Sequence, residues 1–222
     1  MPKKVLFIHR SVGNLLIHNG HVYDLLKPYA NKIFFSDYDH NYGILTTANG
    51  QKKLGYVFPG KNTNPADLAE LFSKPNTKTQ KILDWIASYD VVILKSCYPN
   101  SDIQSDEELD KIKSYYKQII NYFQNTNIQL GILTSPPLRP FATKPTTARR
   151  ARDLANWLSG TDFGNKVKVF NFFDLLAEKD GQQNANTLRQ AYRHKIAFFD
   201  SHPNKATNTS IAPKFVEFIR SF

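Results

Sequence analysis

A hydroxyl becomes a useful nucleophile when a base takes its proton and a third group orients that base. Two distant segments of this chain hold those residue types. The apolar run Val5-Leu6-Phe7-Ile8 stops at His9-Arg10-Ser11-Val12-Gly13-Asn14, and Ala197-Phe198-Phe199 stops at Asp200-Ser201-His202-Pro203-Asn204. Each reads as a buried apolar stretch emptying into a polar turn ahead of a helix. Ser11 offers the hydroxyl, His202 the imidazole and Asp200 the carboxylate. If the fold brings the two turns together, the parts suit attack on an ester carbonyl followed by hydrolysis of an acyl-enzyme.

The elements that must position these residues alternate between short apolar runs and longer helical patterns. Strands are expected at 4–9, 32–36, 90–95, 128–134 and 167–172, and helices at about 13–27, 76–88, 105–125 and 145–159. A last helix follows Asn204 and is expected to bend near Pro213. The run Asp90-Val91-Val92-Ile93-Leu94-Lys95 has the continuous β-branched character of a strand buried on both faces. Residues 37–76 are rich in Gly, Asn, Asp, Tyr and Pro. A segment that long is functional or carries small elements of its own. The alternation predicts an α/β fold: a three-layer α/β/α sandwich around a mostly parallel five-stranded sheet in the flavodoxin-like order 2-1-3-4-5. In that order the turns after strands one and three, and the Asp200–His202 segment, open onto one edge.

With 222 residues, 41% hydrophobic, 16 Phe and 11 Tyr, the chain fits one domain spanning 1–222 with its own core. Its single cysteine, Cys97, excludes an intramolecular disulfide framework. Only four apolar residues separate Lys4 from His9, too few for a signal-peptide core. No later run approaches a membrane span, so a cytoplasmic location is expected. The formal charge of +10 favours an acidic partner. Its densest stretch, 139–152, carries Arg139, Lys144, Arg149, Arg150 and Arg152 and also reads as a solvated loop and helix start. No zinc-finger spacing or RNA-binding aromatic signature accompanies it, and nucleic acid is not the expected partner.

In the order of its elements and in its C-terminal His202-Pro203-Asn204 stretch before an amphipathic helix, the chain resembles the SGNH (GDSL-type) hydrolases. The resemblance implies Ser11 as nucleophile, His202 as base and Asp200 as orienting acid, with no cofactor and no metal. It implies an esterase or acylhydrolase acting on a small-molecule ester or an acylated carbohydrate. The chain also departs from the family pattern. The Gly-Asp-Ser-Leu block is absent, Asp200 precedes His202 by two residues and not three, and Lys95-Ser96-Cys97-Tyr98-Pro99-Asn100 stands where Gly-x-Asn-Asp is expected. Asn100 and the Gly43 backbone N–H are therefore the candidate oxyanion donors.

Arg10 and Lys95, at strand ends, and Asp39 and His40, after the second strand, are candidate substrate contacts. The aromatic residues Tyr38, Tyr42, Tyr56 and Phe58 could wall a pocket or pack as a lid. Cys97 could replace Ser11 as nucleophile only with His202 in reach. Each site residue also has a structural role open to it. Ser11 suits a helix cap, and Asp200 and Asn100 suit turns. The rival readings are a flavodoxin-like binding module holding an anionic ligand on the 9–14 turn, and an inactive SGNH-like domain that binds a carbohydrate or a partner protein.

Overall fold

The computed structural model describes residues 1–55, 57–61, 63–195 and 200–222. The apolar stretch 197–199 and Tyr56 lie outside the described residues. Five strands run parallel: β1 (Lys3–His9), β2 (Ile33–Asp39), β5 (Val91–Lys95), β6 (Gln129–Leu133) and β7 (Val167–Phe170). The hairpin β3 (Ile44–Thr47) and β4 (Gly50–Lys53) adds two antiparallel strands beside β2. The sheet order is β4-β3-β2-β1-β5-β6-β7. Its parallel part has the expected 2-1-3-4-5 order, and the sheet has seven strands where five were expected.

Alternation along the central strands builds the layers, because successive side chains point to opposite faces. Leu6 and Ile8 of β1, with Val92 and Leu94 of β5, pack on α3 (Pro65–Ser73), α4 (Thr77–Ile86), α5 (Asp106–Gln124) and α6 (Pro145–Gly160). Val5 and Phe7, with Val91 and Ile93, pack on α1 (Val12–Asn19), α2 (Val22–Leu26), α7 (Phe172–Leu176) and α8 (Lys205–Arg220). The fold is a three-layer α/β/α sandwich.

Several elements differ from the sequence expectation. The helix expected over 13–27 is two helices, because His21 adopts a left-handed φ of 52° between them. The irregular 37–76 segment holds the β3–β4 hairpin and α3. As expected, a helix follows Asn204, and α8 has Pro213 inside it.

The first turn of α1 rests on β1. A Cβ added to Gly13 would lie 2.4 Å from the His9 Cβ. His9 is fully buried, its Nε2 pairs with Asp37 Oδ2 at 3.0 Å, and Tyr23 donates to Asp37 Oδ1 at 2.6 Å. Burial and the neighbouring Asp37 push the Tyr23 phenol far above its ordinary value. The close approach of α1 therefore requires glycine at position 13. Gly13→Ala should destabilise the protein by about 1–3 kcal/mol, read as a lower urea midpoint at unchanged m-value; an unchanged midpoint would mean that His9 can move aside freely.

Candidate active site

The carboxyl ends of β1, β2 and β5 open onto one edge, as the fold requires of a ligand site. Ser11 stands between β1 and α1 with φ 27° and ψ −76°, a region L residues rarely occupy. It holds the N-cap position, yet its side chain caps nothing. Its Oγ lies 3.2 Å from Cys97 Sγ, on the turn after β5.

The acid and base form a tight unit. Asp200 Oδ1 accepts the His202 backbone N–H at 2.9 Å and also pairs with His202 Nδ1. Burial tends to raise the Asp200 carboxyl, but the His202 backbone N–H, the His202 imidazole and the nearby His194 outweigh it, and its pKa is lowered. An ionised Asp200 requires Nδ1 to carry the proton. The neutral imidazole then presents a bare Nε2, the tautomer a general base needs. The next helix leaves this pair alone: Asn204 caps α8 by accepting the Thr207 N–H at 2.9 Å.

The turn after β5 links the two parts. Residue 97 contacts Ser11, and the Tyr98 ring meets the His202 ring edge-on, with centroids 5.2 Å apart and planes at 87°. The Tyr98 phenol is raised by burial and by the neighbouring Cys97 and Asp200, against the opposing pull of Arg10. Groups from the β1, β5 and pre-α8 turns thus share one electrostatic neighbourhood. Ser11 and His202 are not hydrogen bonded to each other; Cys97 is the partner of the Ser11 hydroxyl.

The remaining candidates are placed as follows. Gly43, with φ +65°, donates its N–H to the Asp39 carbonyl at 2.9 Å, so in this conformation the β2–β3 turn occupies it. Asn100 sits in a 3-10 turn (Tyr98–Ser101), its N–H donating to the Cys97 carbonyl at 3.0 Å. A cavity of about 660 Å³ opens beside Asn100, lined also by Asn64, Pro65, Pro99, Asp102 and Tyr115.

Asp39 accepts the Asn41 N–H at 2.8 Å and closes its own turn. His40 is buried and pairs through Nε2 with the Pro59 carbonyl at 3.1 Å. Burial lowers its pKa, the Pro59 hydrogen bond opposes that, and Arg10 adds to the lowering. Lys95 ends β5 as expected but does not reach solvent: it is completely buried, and its ammonium donates to the Ser96 carbonyl at 3.0 Å. Burial lowers its pKa, with Cys97 acting in the opposite direction. Among the described residues no group of three or more His, Cys, Asp or Glu is placed to hold a metal, and no helix is long and apolar enough to cross a membrane.

The sequence pointed to Ser11, Asp200 and His202 but not to Tyr98 as the ring against the imidazole. Only its place in the turn after a central strand could have suggested it.

No family model and no curated protein matches the chain. Solved structures do. A protein named as a candidate acylhydrolase from Bacteroides fragilis superposes with a TM-score of 0.58 at 13% identity, over 99% of this chain and 87% of that one. A protein named as a candidate platelet activating factor from Streptococcus pneumoniae superposes with a TM-score of 0.53 at 13% identity, over 99% of this chain and 85% of that one. At this identity the likeness establishes a shared fold.

The lowered Asp200 pKa has a signed consequence. A carboxylate with a folded-state pKa below its unfolded value contributes stability above about pH 4, and that contribution disappears as pH falls through the folded value. As pH falls below about 4 the wild type should lose urea resistance more steeply than Asp200→Asn; parallel curves would contradict the hydrogen-bonded, ionised Asp200.

Proposed function

We propose that the chain is an ester hydrolase of the SGNH type that works through an acyl-enzyme on a small-molecule ester or an acylated carbohydrate. One observation carries this reading. Ser11 occupies a helix N-cap in a strained backbone conformation, yet withholds its hydroxyl from capping and turns it to the loop whose next residue packs on His202. A serine conserving helix stability would bond the free N–H groups of the first turn.

In this reading the Ser11 hydroxyl rotates from Cys97 to His202 Nε2 when substrate enters; catalytic hydrogen bonds are often long or misaligned before that step. His202 takes the Ser11 proton as Oγ attacks the acyl carbon, and Asp200 stabilises the imidazolium. The oxyanion would develop at the positive end of α1, near the Ser11 N–H, with Asn100, which lines the cavity described above, as second donor. His202 then returns the proton to the leaving alcohol and activates the water that cleaves the acyl-enzyme. The similarity in fold to a candidate acylhydrolase supports the same class.

A second reading, an inactive SGNH-like binding domain, is favoured by one feature: the Gly43 N–H is already engaged, leaving the oxyanion site short of a donor. Turnover of short-chain nitrophenyl esters separates the two. Ser11→Ala and His202→Ala should each remove that turnover without unfolding the protein, and Asp200→Asn should reduce kcat by about a hundredfold or more. Turnover retained in either alanine variant overturns the mechanism, and none in the folded wild type favours the binding domain.

A further inference from the structure

Cys97 is 2% exposed, and its backbone N–H finds no acceptor among the described residues. Buried N–H groups without a partner are rare, because each forfeits the hydrogen bond it would make with water. The carbonyls around this one are all engaged. The Lys95 carbonyl accepts the Thr63 hydroxyl at 2.6 Å, the Ser96 carbonyl accepts the Lys95 ammonium at 3.0 Å, and the Cys97 carbonyl accepts the Asn100 N–H at 3.0 Å. The Ser96 hydroxyl also donates to the Thr63 carbonyl at 3.1 Å and pairs with the Tyr116 hydroxyl at 3.1 Å. The turn is clamped on every side, and one donor is left over.

The direction of that N–H follows from the sheet. The Asp90 carbonyl accepts the Gln129 N–H of β6 at 2.9 Å, so the other end of the same peptide, the Val91 N–H, faces β1. Backbone groups alternate between the two neighbouring strands, so Ile93 and Lys95 face β1 as well. Cys97 keeps that parity, since its side chain packs in the same layer as Val91 and Ile93. Its N–H therefore turns toward the β1 edge, where Ser11 Oγ stands 3.2 Å from Cys97 Sγ. The amide nitrogen is three bonds from Sγ. An oxyanion forms two bonds from the attacking Oγ, and a donor serves it from about 3 Å.

We propose that the Cys97 backbone N–H is an oxyanion donor of the hydrolase, set in place by Lys95; the assignment rests on the ester-hydrolase reading. It supplies the donor that the engaged Gly43 N–H withholds. The Ser96 carbonyl and the Cys97 N–H are opposite ends of one planar peptide. A buried cation bonded to the carbonyl fixes that plane and draws electron density toward its oxygen, which strengthens the N–H as a donor. Enclosing an ammonium is unfavourable for the fold alone, and a preorganised dipole aimed at developing charge is a gain that retains one. Lys95 acts only through this peptide and is a positioning residue.

Kinetics give one arm of the test. Replacing Cys97 by its α-hydroxy analogue exchanges this N–H for an ester oxygen and keeps the thiol. On short-chain nitrophenyl esters kcat should fall about 100- to 1000-fold at an unchanged KM, because the bond forms only with the oxyanion. Lys95→Met, which keeps the length of the side chain and removes its donor, should lower kcat about tenfold, again at an unchanged KM. Wild-type kcat in the α-hydroxy protein overturns the assignment and leaves the hydrolase reading intact. Wild-type kcat in Lys95→Met overturns the positioning role.

Magnetic resonance gives the other arm and needs no variant. Cys97 is the single cysteine, so protein carrying isotopic nitrogen at cysteine shows one amide signal. In a fluorophosphonate adduct of Ser11 the phosphoryl oxygen stands in for the oxyanion. The Cys97 amide proton should move downfield when that adduct forms, as a donor does on gaining an acceptor. A proton that stays in place or moves upfield overturns the assignment. A folded wild type that takes no adduct and turns over no ester removes the hydrolase reading, and the oxyanion donor with it.

Discussion

A single carboxylate accepting two hydrogen bonds from one residue organises the candidate site. Asp200 takes both the backbone N–H and the ring N–H of His202. The backbone bond closes a tight turn, and that turn fixes where the imidazole stands. The ring bond fixes which nitrogen carries the proton. A separation of two residues suits both bonds at once, since the carboxylate folds back over its own turn. The shortened spacing relative to the SGNH pattern is thus compatible with an oriented base. With the carboxylate held ionised by these contacts, the bare nitrogen of the imidazole is available to a hydroxyl across the sheet edge.

The nucleophile side depends on a different constraint. Helix α1 can begin immediately after β1 only because Gly13 lets it settle on the His9 ring. That ring is pinned from below by Asp37, which Tyr23 also holds. Ser11, caught between the strand end and this anchored helix, takes a backbone conformation it would not choose alone. Strain of this kind costs of order 1–3 kcal/mol and persists where the surroundings over-determine it. The buried network of β1 and β2 provides such surroundings, and the result is a hydroxyl aimed at the β5 turn instead of along its own helix.

Much of this was legible in the sequence, for physical reasons. Strands buried on both faces carry continuous apolar runs, so β1, β5 and β6 announce themselves, and their alternation with amphipathic helices dictates the parallel order. The β3–β4 hairpin escaped because Gly50-Gln51-Lys52-Lys53 is wholly exposed and has no apolar period to read. Its one signal was the turn-forming pair Asn49-Gly50, which the structure divides between the Ala48-Asn49 turn and the first residue of β4. The burial of Lys95 was not legible because a lysine at a strand end normally reaches water; here the side chain is fully enclosed, the Ser96 carbonyl receives the ammonium, and the Thr63 hydroxyl donates to the Lys95 carbonyl. Ser11, Asp200 and His202 could be named from residue type and strand-end placement. Their partners Cys97 and Tyr98 could not, since their contacts cross between segments about ninety or more residues apart and have no local period.

The central claim is that this fold activates Ser11. Intact-mass analysis after exposure to a fluorophosphonate, comparing wild type with Ser11→Ala, tests it most directly, because the probe reports a reactive serine without knowledge of the substrate. The account predicts one adduct on the wild type and none on the variant. A folded wild type that takes no adduct, or a variant that still takes one, would contradict it.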